Sequence, residues 1–337
     1  LNGRDAQVLA EAGVSSPRLH FLPNPVSPPP VDADRSRARA AATSVLGLPE
    51  AWQLVVYPVR GIRRKNLGEM LLWSAVVEAA LFVVTMPPKN PQERTAFDRW
   101  AKLAAALDLP CRLGSPPQLP FGQALAASDA LLTTSVAEGF GMAFLEAWLA
   151  GRPLVGRQLP EITADFAERG VVLDHLYDEL SVPVEMIDVG DFREQMTRLA
   201  TAIYHDFNAT PPDEAAISSQ LHRLLDQQAI DFARLPIQIQ AELIERVVGD
   251  RTLAARLRDA NERLRLPGDA VAAQVPSNAA AIAEHFSLPQ VGQLLADVYV
   301  ALQSATPSGK MQPLTAGRAI LDAFLSIARL HAVRAEP

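Results

Sequence analysis

The sequence predicts an α/β fold, a doubly wound parallel sheet of Rossmann-like type with a helical C-terminal extension. Three observations carry this expectation. Short continuous apolar runs, among them Leu54 to Val59, Leu81 to Met86 and Ala130 to Thr134, alternate with longer helical segments. Strands apolar on both faces belong to parallel sheets covered on both sides. The segment from Met142 to Ala150 ends at Gly151 with Pro153 just beyond, a helix stop followed by a new strand. Past about Gly170 the alternation ends, and Ala- and Leu-rich faces at helical spacing take over.

In chain order, residues 1 to about 16 predict a short helix with Ala6, Val8, Leu9 and Ala12 apolar, closed by Gly13. Arg18 to Val26 reads as a short strand entering a proline-rich turn through Pro30, followed by a polar helix from about Asp34 to Leu46. The alternating core is Leu54 to Val59 (strand), Leu67 to Ala80 (helix), Leu81 to Met86 (strand) and Pro91 to Leu107 (helix). It continues with Cys111 to Leu113 (strand), Gly122 to Ser128 (helix), Ala130 to Thr134 (strand), Met142 to Ala150 (helix) and Pro153 to Gly156 (strand). Helices are then expected over Asp191 to His205, Pro212 to Gln228, Pro236 to Val248, Asp250 to Leu264, Ser277 to His285, Leu288 to Gln303 and Pro313 to Val333, with loops at 266–276 and 304–312. The expected organisation is a hinge at 1–26, a Rossmann-like ligand-binding domain at 27–190 and a helical region at 191–337.

The 337 residues carry a formal net charge of -7, which argues against nucleic-acid and anionic-membrane partners. Hydrophobic content of 49% and charged content of 20% fit a well-cored soluble protein. Cys111 is the only cysteine, so there is no disulfide framework or thiolate metal site, consistent with a reducing cytoplasm. His205, His222, His285 and His331 are scattered without metal-ligand pairing and read as surface or core residues. The longest apolar run, near Ala79 to Met86, is far short of a membrane span. Leu1 is not an initiator methionine, and the first residues look like a helix already under way, so a longer protein is expected.

The chemistry concentrates in Glu138-Gly139-Phe140-Gly141-Met142-Ala143-Phe144-Leu145-Glu146, at the carboxyl end of the Ala130 strand. In such sheets ligands bind at those strand ends. Gly139 and Gly141 let the loop approach a ligand, and the following helix offers free N–H groups. With Glu138 in the loop and Glu146 in the second helical turn, the carboxylates are expected about 10–12 Å apart along the helix. That spacing suits an elongated ligand with hydroxyls at both ends and an anion between them. The plainer alternative is a Gly-rich turn with ordinary dipole complementation. A second cluster, Arg60 with Arg63, Arg64 and Lys65, follows the first strand; it reads either as an anion site or as a solvated basic turn.

Glu-x7-Glu with its internal Gly-Phe-Gly, followed by Ala150-Gly151-Arg152-Pro153-Leu154-Val155, resembles the donor-binding half of retaining GT-B glycosyltransferases. This is the group that includes sucrose-phosphate-synthase-like, glycogen-synthase-like and mannosyltransferase enzymes. Three further segments agree: Arg18 to Val26, like the interdomain passage with proline in place of the usual glycine; Tyr57-Pro58-Val59-Arg60 with Lys65, like the first donor-domain strand and basic loop; and Ser277-Asn278 through Tyr299, like the closing helices. The resemblance covers about residues 15–170 firmly and 270–303 loosely. Two departures stand out: the acceptor-side domain is absent from these residues, and roughly 171–270 match no motif.

The resemblance implies transfer of a sugar from a UDP-, GDP- or ADP-sugar to a sugar or glycan acceptor with retention, without metal or other cofactor. It assigns Arg60 and Lys65 to the leaving phosphate, with Arg63 or Arg64 as a substitute. Glu146 falls on the ribose hydroxyls and Glu138 on the donor sugar, with backbone amides from Gly139, Phe140 and Gly141. Glu161, on a loop after the last sheet strand, is expected to border the sugar pocket, and an acceptor domain is expected immediately upstream. A donor domain turned non-catalytic binding or scaffold module is the alternative, and a sugar-nucleotide epimerase of similar fold is a third reading. An NAD-dependent dehydrogenase is disfavoured because no Gly-x-Gly-x-x-Gly follows the first strand.

Overall fold

The computed structural model describes residues 3–11, 14, 19–32, 34–304, 317, 321 and 325–335. Helices α1 (Gly3–Glu11) and α2 (Arg35–Leu46) come first; α2 starts at Asp34, whose side chain accepts the Arg37 N–H. The chain then alternates through β1 (Gln53–Arg60), α3 (Leu67–Val76), β2 (Ala80–Met86), α4 (Pro91–Ala106), β3 (Cys111–Leu113), α5 (Phe121–Ala127), β4 (Ala130–Thr133), α6 (Ala143–Leu149) and β5 (Leu154–Gly156). These strands form one parallel sheet in the order β3-β2-β1-β4-β5. This is the α/β architecture expected from the apolar runs.

Alternation along β1 sets both layers. Leu54 and Val56 point into a core shared with α2, α5 and α6, while Val55 and Tyr57 point into a core shared with α3 and α4. The chain therefore leaves β1 on one face and β4 on the other, so the loops after these neighbouring strands border the switch-point crevice of the sheet. Pro58 brings no N–H to the ladder, and the β1–β2 register shifts between Tyr57 and Arg60. The end of β1 is irregular where it enters that crevice.

The remainder comprises α7 (Pro160–Ala167), β6 (Ser181–Pro183), α8 (Val189–Asp206), α9 (Glu214–Leu225), β7 (Ala229–Asp231), α10 (Ile237–Gly249), α11 (Arg251–Asp259), α12 (Asp269–Ala272), α13 (Val275–Phe286) and α14 (Leu288–Ser304). Helices α10 and α11 lie on α3, so the segment without a motif adds an outer layer over the helix that covers one face of the sheet. Gly68 permits this approach, because a Cβ there would come within 2.2 Å of Gln240 Oε1. No helix among the described residues is long and apolar enough to cross a membrane.

Several expected elements differ. Residues 19–26 form no strand; Pro23 and Pro25 lack N–H donors, and the Val26 N–H goes to the Phe286 carbonyl. Helix α3 stops at Val76 rather than Ala80, because Ala80 must enter β2 opposite Gln53; Ala79 makes the turn at φ 55°. Helix α11 stops at Asp259, where Asn261 clamps both the N–H and the carbonyl of Ser181. The pair β6–β7, antiparallel and three residues per strand, interrupts the helical region and straddles residue 190. Strands this short show no period. Glu161 lies in the first turn of α7, which Pro160 opens, rather than on a loop. The expected loop at 266–276 contains α12 and the start of α13. Residues 327–329 and 332–334 are 3-10 turns, not the end of a long helix. Gly13, Arg18, 305–312 and most of the expected helix from Pro313 lie outside the described residues.

Candidate donor-binding site

The loops after β1 and β4 are sewn together by their backbones. Residues Arg63–Lys65 form a 3-10 turn, and Asn66, at φ 46°, swings the chain into α3. The Lys65 carbonyl accepts from Tyr57 Oη at 3.1 Å and from Thr134 Oγ1 at 2.9 Å, while the Val136 N–H donates to the Arg64 carbonyl at 3.0 Å. This places the basic turn against Glu138. Lys65 Nζ donates to Glu138 Oε1, and Arg64 Nη1 donates to Glu138 Oε2 at 2.5 Å and to the Ala137 carbonyl at 3.0 Å.

The Lys65 and Glu138 side chains are 10% and 9% exposed, so the pair is largely desolvated. Burial alone would raise the Glu138 carboxyl. Lys65, a Ser135 hydrogen bond and Arg64 outweigh it, and the group lies below its ordinary range. Burial pulls the Lys65 ammonium down, against the opposing pull of Glu138 and, more weakly, Glu146. One lysine thus faces both carboxylates of the Glu-x7-Glu pattern.

Glu146 is half-buried in the first turn of α6, and among the described residues its carboxylate takes no hydrogen bond. Burial raises it and Lys65 lowers it, with a net upward shift. Its hydrogen-bonding capacity is unspent. Gly139 is exposed with nothing within 4 Å of where a Cβ would sit, whereas Gly141 sits at φ 88° and a Cβ there would meet Ile162 and Phe144 at 2.9 Å. Phe140 packs edge-on against Phe166 and Phe286, so its ring anchors the loop. Arg63 is turned away toward Glu93 of α4, leaving Arg64 as the arginine at the site. Arg60 is not brought to this cluster: its exposed side chain makes no ion pair or hydrogen bond among the described residues. Glu161 pairs with Arg4 of α1 at 3.7 Å. A separate groove of about 600 Å³ runs by Gly156, His175 and Gln274.

A buried network under the site had no signal in the sequence. Arg157, at the end of β5, donates to Glu69 Oε2 at 2.7 Å and to Asp231 Oδ1 at 2.7 Å, and its side chain is 3% exposed. Tyr177 Oη donates to Glu69 at 2.8 Å, and Trp73 Nε1 donates to Tyr177. Asn66 Nδ2 reaches Glu69 at 2.9 Å, which ties the network to the turn carrying Lys65. Burial raises the Glu69 carboxyl against the pull of Arg157. Asp231, equally buried, lies below its ordinary range because Arg157 and the Leu180 N–H hold its charge. Two carboxylates share one guanidinium, and Glu69 is the less willing anion.

The C-terminal turns close over this network. His331 Nδ1 lies 3.3 Å from the Ala233 carbonyl, and burial, against the pull of Asp231 and with repulsion from Arg157 and Arg234, lowers it from 6.5 to about 4. The unfolded chain therefore binds more protons than the folded chain between those values. The contribution is fully present above pH 6.5 and is lost as pH falls toward 4. Urea-unfolding midpoints are expected to fall across this window, with a shallower fall in His331→Gln. An unchanged slope in that variant would contradict the assignment.

No family model matches the chain. Mannosylglucosyl-3-phosphoglycerate synthase of Petrotoga mobilis is 26% identical over 194 residues, 55% of this chain and 36% of the relative. Among solved structures, HepE of Anabaena in complex with UDP and glucose superposes with a TM-score of 0.48 at 14% identity, covering 90% of this chain and 62% of that one. Sucrose-phosphate synthase from Thermosynechococcus elongatus gives 0.47 at 15% identity, covering 91% and 58%. The C-terminal domain of a glycosyl transferase group 1 family protein from Francisella tularensis gives 0.33 at 13% identity, covering 69% and 94%. The chain thus matches little more than a third of the length of its curated relative.

Proposed function

We propose that the chain is the donor-binding part of a retaining glycosyltransferase that uses a UDP-, GDP- or ADP-sugar, with the sugar or glycan acceptor held by a domain upstream. The observation that supports this most is the largely desolvated Lys65–Glu138 pair at the switch point of the sheet, joined by the half-exposed Arg64, with Glu146 unspent beside it. Breaking the anomeric C–O bond leaves negative charge on a nucleoside diphosphate, and pre-positioned cations stabilise that charge as it grows. Lys65 and Arg64 serve the leaving phosphates, Glu138 the donor sugar and Glu146 the ribose hydroxyls, with backbone amides from Gly139, Phe140 and Gly141. Arg60 enters only if its exposed side chain swings in on binding.

Incubating the chain with UDP-, GDP- and ADP-sugars tests this. Slow release of one nucleoside diphosphate is expected, without transfer to an added sugar acceptor, and in the presence of methanol proton NMR of the methyl glycoside formed, which cannot mutarotate, should show the anomeric configuration kept. An inverted sugar would overturn retention. Robust transfer by this chain alone would overturn the need for an upstream acceptor domain.

A further inference from the structure

The C-terminal segment returns to the site. Ala332 and Val333 are fully buried, and the turn 332–334 packs against the basic turn 63–65. His331 fixes the approach through Ala233, beside the buried Arg157–Asp231 pair. Arg334 then projects from an anchored backbone and is itself exposed. Its turn packs on the turn that carries Arg64, and partial burial and repulsion from Arg64 lower its guanidinium, so the two arginines are neighbours. Among the described residues no carboxylate pairs with Arg334, whereas Arg64 and Lys65 share the single carboxylate of Glu138. Three cations against the two carboxylates Glu138 and Glu146 leave one positive charge unspent, and a multivalent anion between Arg64 and Arg334 would relieve their repulsion.

We propose that Arg334 is a third phosphate-facing cation of the donor site, delivered by the C-terminal segment. This rests on the nucleotide-sugar reading and extends it. Nothing in the sequence hints at it, because 270 positions separate Arg64 from Arg334.

Calorimetric titration of wild type, Arg334→Gln and Arg334→Lys with UDP, GDP, ADP, the corresponding nucleosides and inorganic pyrophosphate tests the assignment. Arg334→Gln should raise the Kd of the nucleoside diphosphate that wild type binds by about tenfold, the effect of losing one charge-assisted contact. Pyrophosphate should weaken in parallel, nucleoside binding should stay unchanged, Arg334→Lys should recover part of the loss, and the unfolding midpoint should not move. Equal diphosphate binding by wild type and Arg334→Gln would overturn the role of Arg334 and leave the donor reading intact. Equal losses toward nucleoside and diphosphate, or a lowered unfolding midpoint, would make Arg334 structural and overturn the proposal. Failure of wild type to bind any of the nucleotides would instead overturn the donor reading itself.

Discussion

Replacing Arg157 with Met should cost about 3–5 kcal/mol of stability, the range for breaking a buried ion network by removing one partner. Two carboxylates depend on that guanidinium. The Glu69 side chain is 0% and the Asp231 side chain 3% exposed, so neither reaches water when the cation is lost. Against a total of roughly 5–15 kcal/mol for a folded chain, this is a large fraction. The network joins α3, β5 and β7, so its loss should also loosen the helical segment from the sheet. Guanidinium unfolding of the variant should show the midpoint lowered accordingly. The triple variant Glu69→Gln, Arg157→Met, Asp231→Asn should recover a good part of the loss, because no uncompensated charge then remains. A cost below about 1 kcal/mol for Arg157→Met, as for a surface pair, would contradict this account.

The contrast between that network and the candidate site explains what could be read in the sequence. The sheet was legible because its central strands are continuous apolar runs, and the fold brings the loops after β1 and β4 together once strand order is known. The meeting of the basic turn with Glu138 follows from that topology, so the neighbourhood of Lys65 and Glu138 was legible. The pairing that turns Arg63 away was not, because nothing local marks Glu93 on α4 as its partner. Arg157 was equally illegible, since its partners stand 88 positions before and 74 after it. A buried arginine looks in sequence like any other charge. The pair β6–β7 and the 3-10 turns near the C-terminus are too short to show a period. Residues 19–26 were misread because their apolar pattern is that of a strand, while their prolines and the Val26–Phe286 hydrogen bond commit them to packing on α13.

The second large effect concerns the two carboxylates of the site, which should separate cleanly. Glu146 carries no protein hydrogen bond, so two ribose hydroxyls can take its charge directly. Replacing it with Ala should weaken nucleoside diphosphate binding by about 1–3 kcal/mol, the usual worth of such charge-assisted bonds. Glu138 is already spent on Lys65 and Arg64. Its replacement by Gln frees two cations for phosphate, so binding of the bare diphosphate should be spared or tightened. Loss should appear only toward the intact nucleotide-sugar, where the carboxylate is needed at the sugar.

Calorimetric titration of wild type, Glu138→Gln and Glu146→Ala, each with a nucleoside diphosphate and with its nucleotide-sugar, tests this most directly. The account predicts that Glu146→Ala weakens both ligands while Glu138→Gln weakens only the nucleotide-sugar. The same loss in both variants toward both ligands, or no binding of UDP, GDP or ADP to wild type at millimolar concentration, would contradict it.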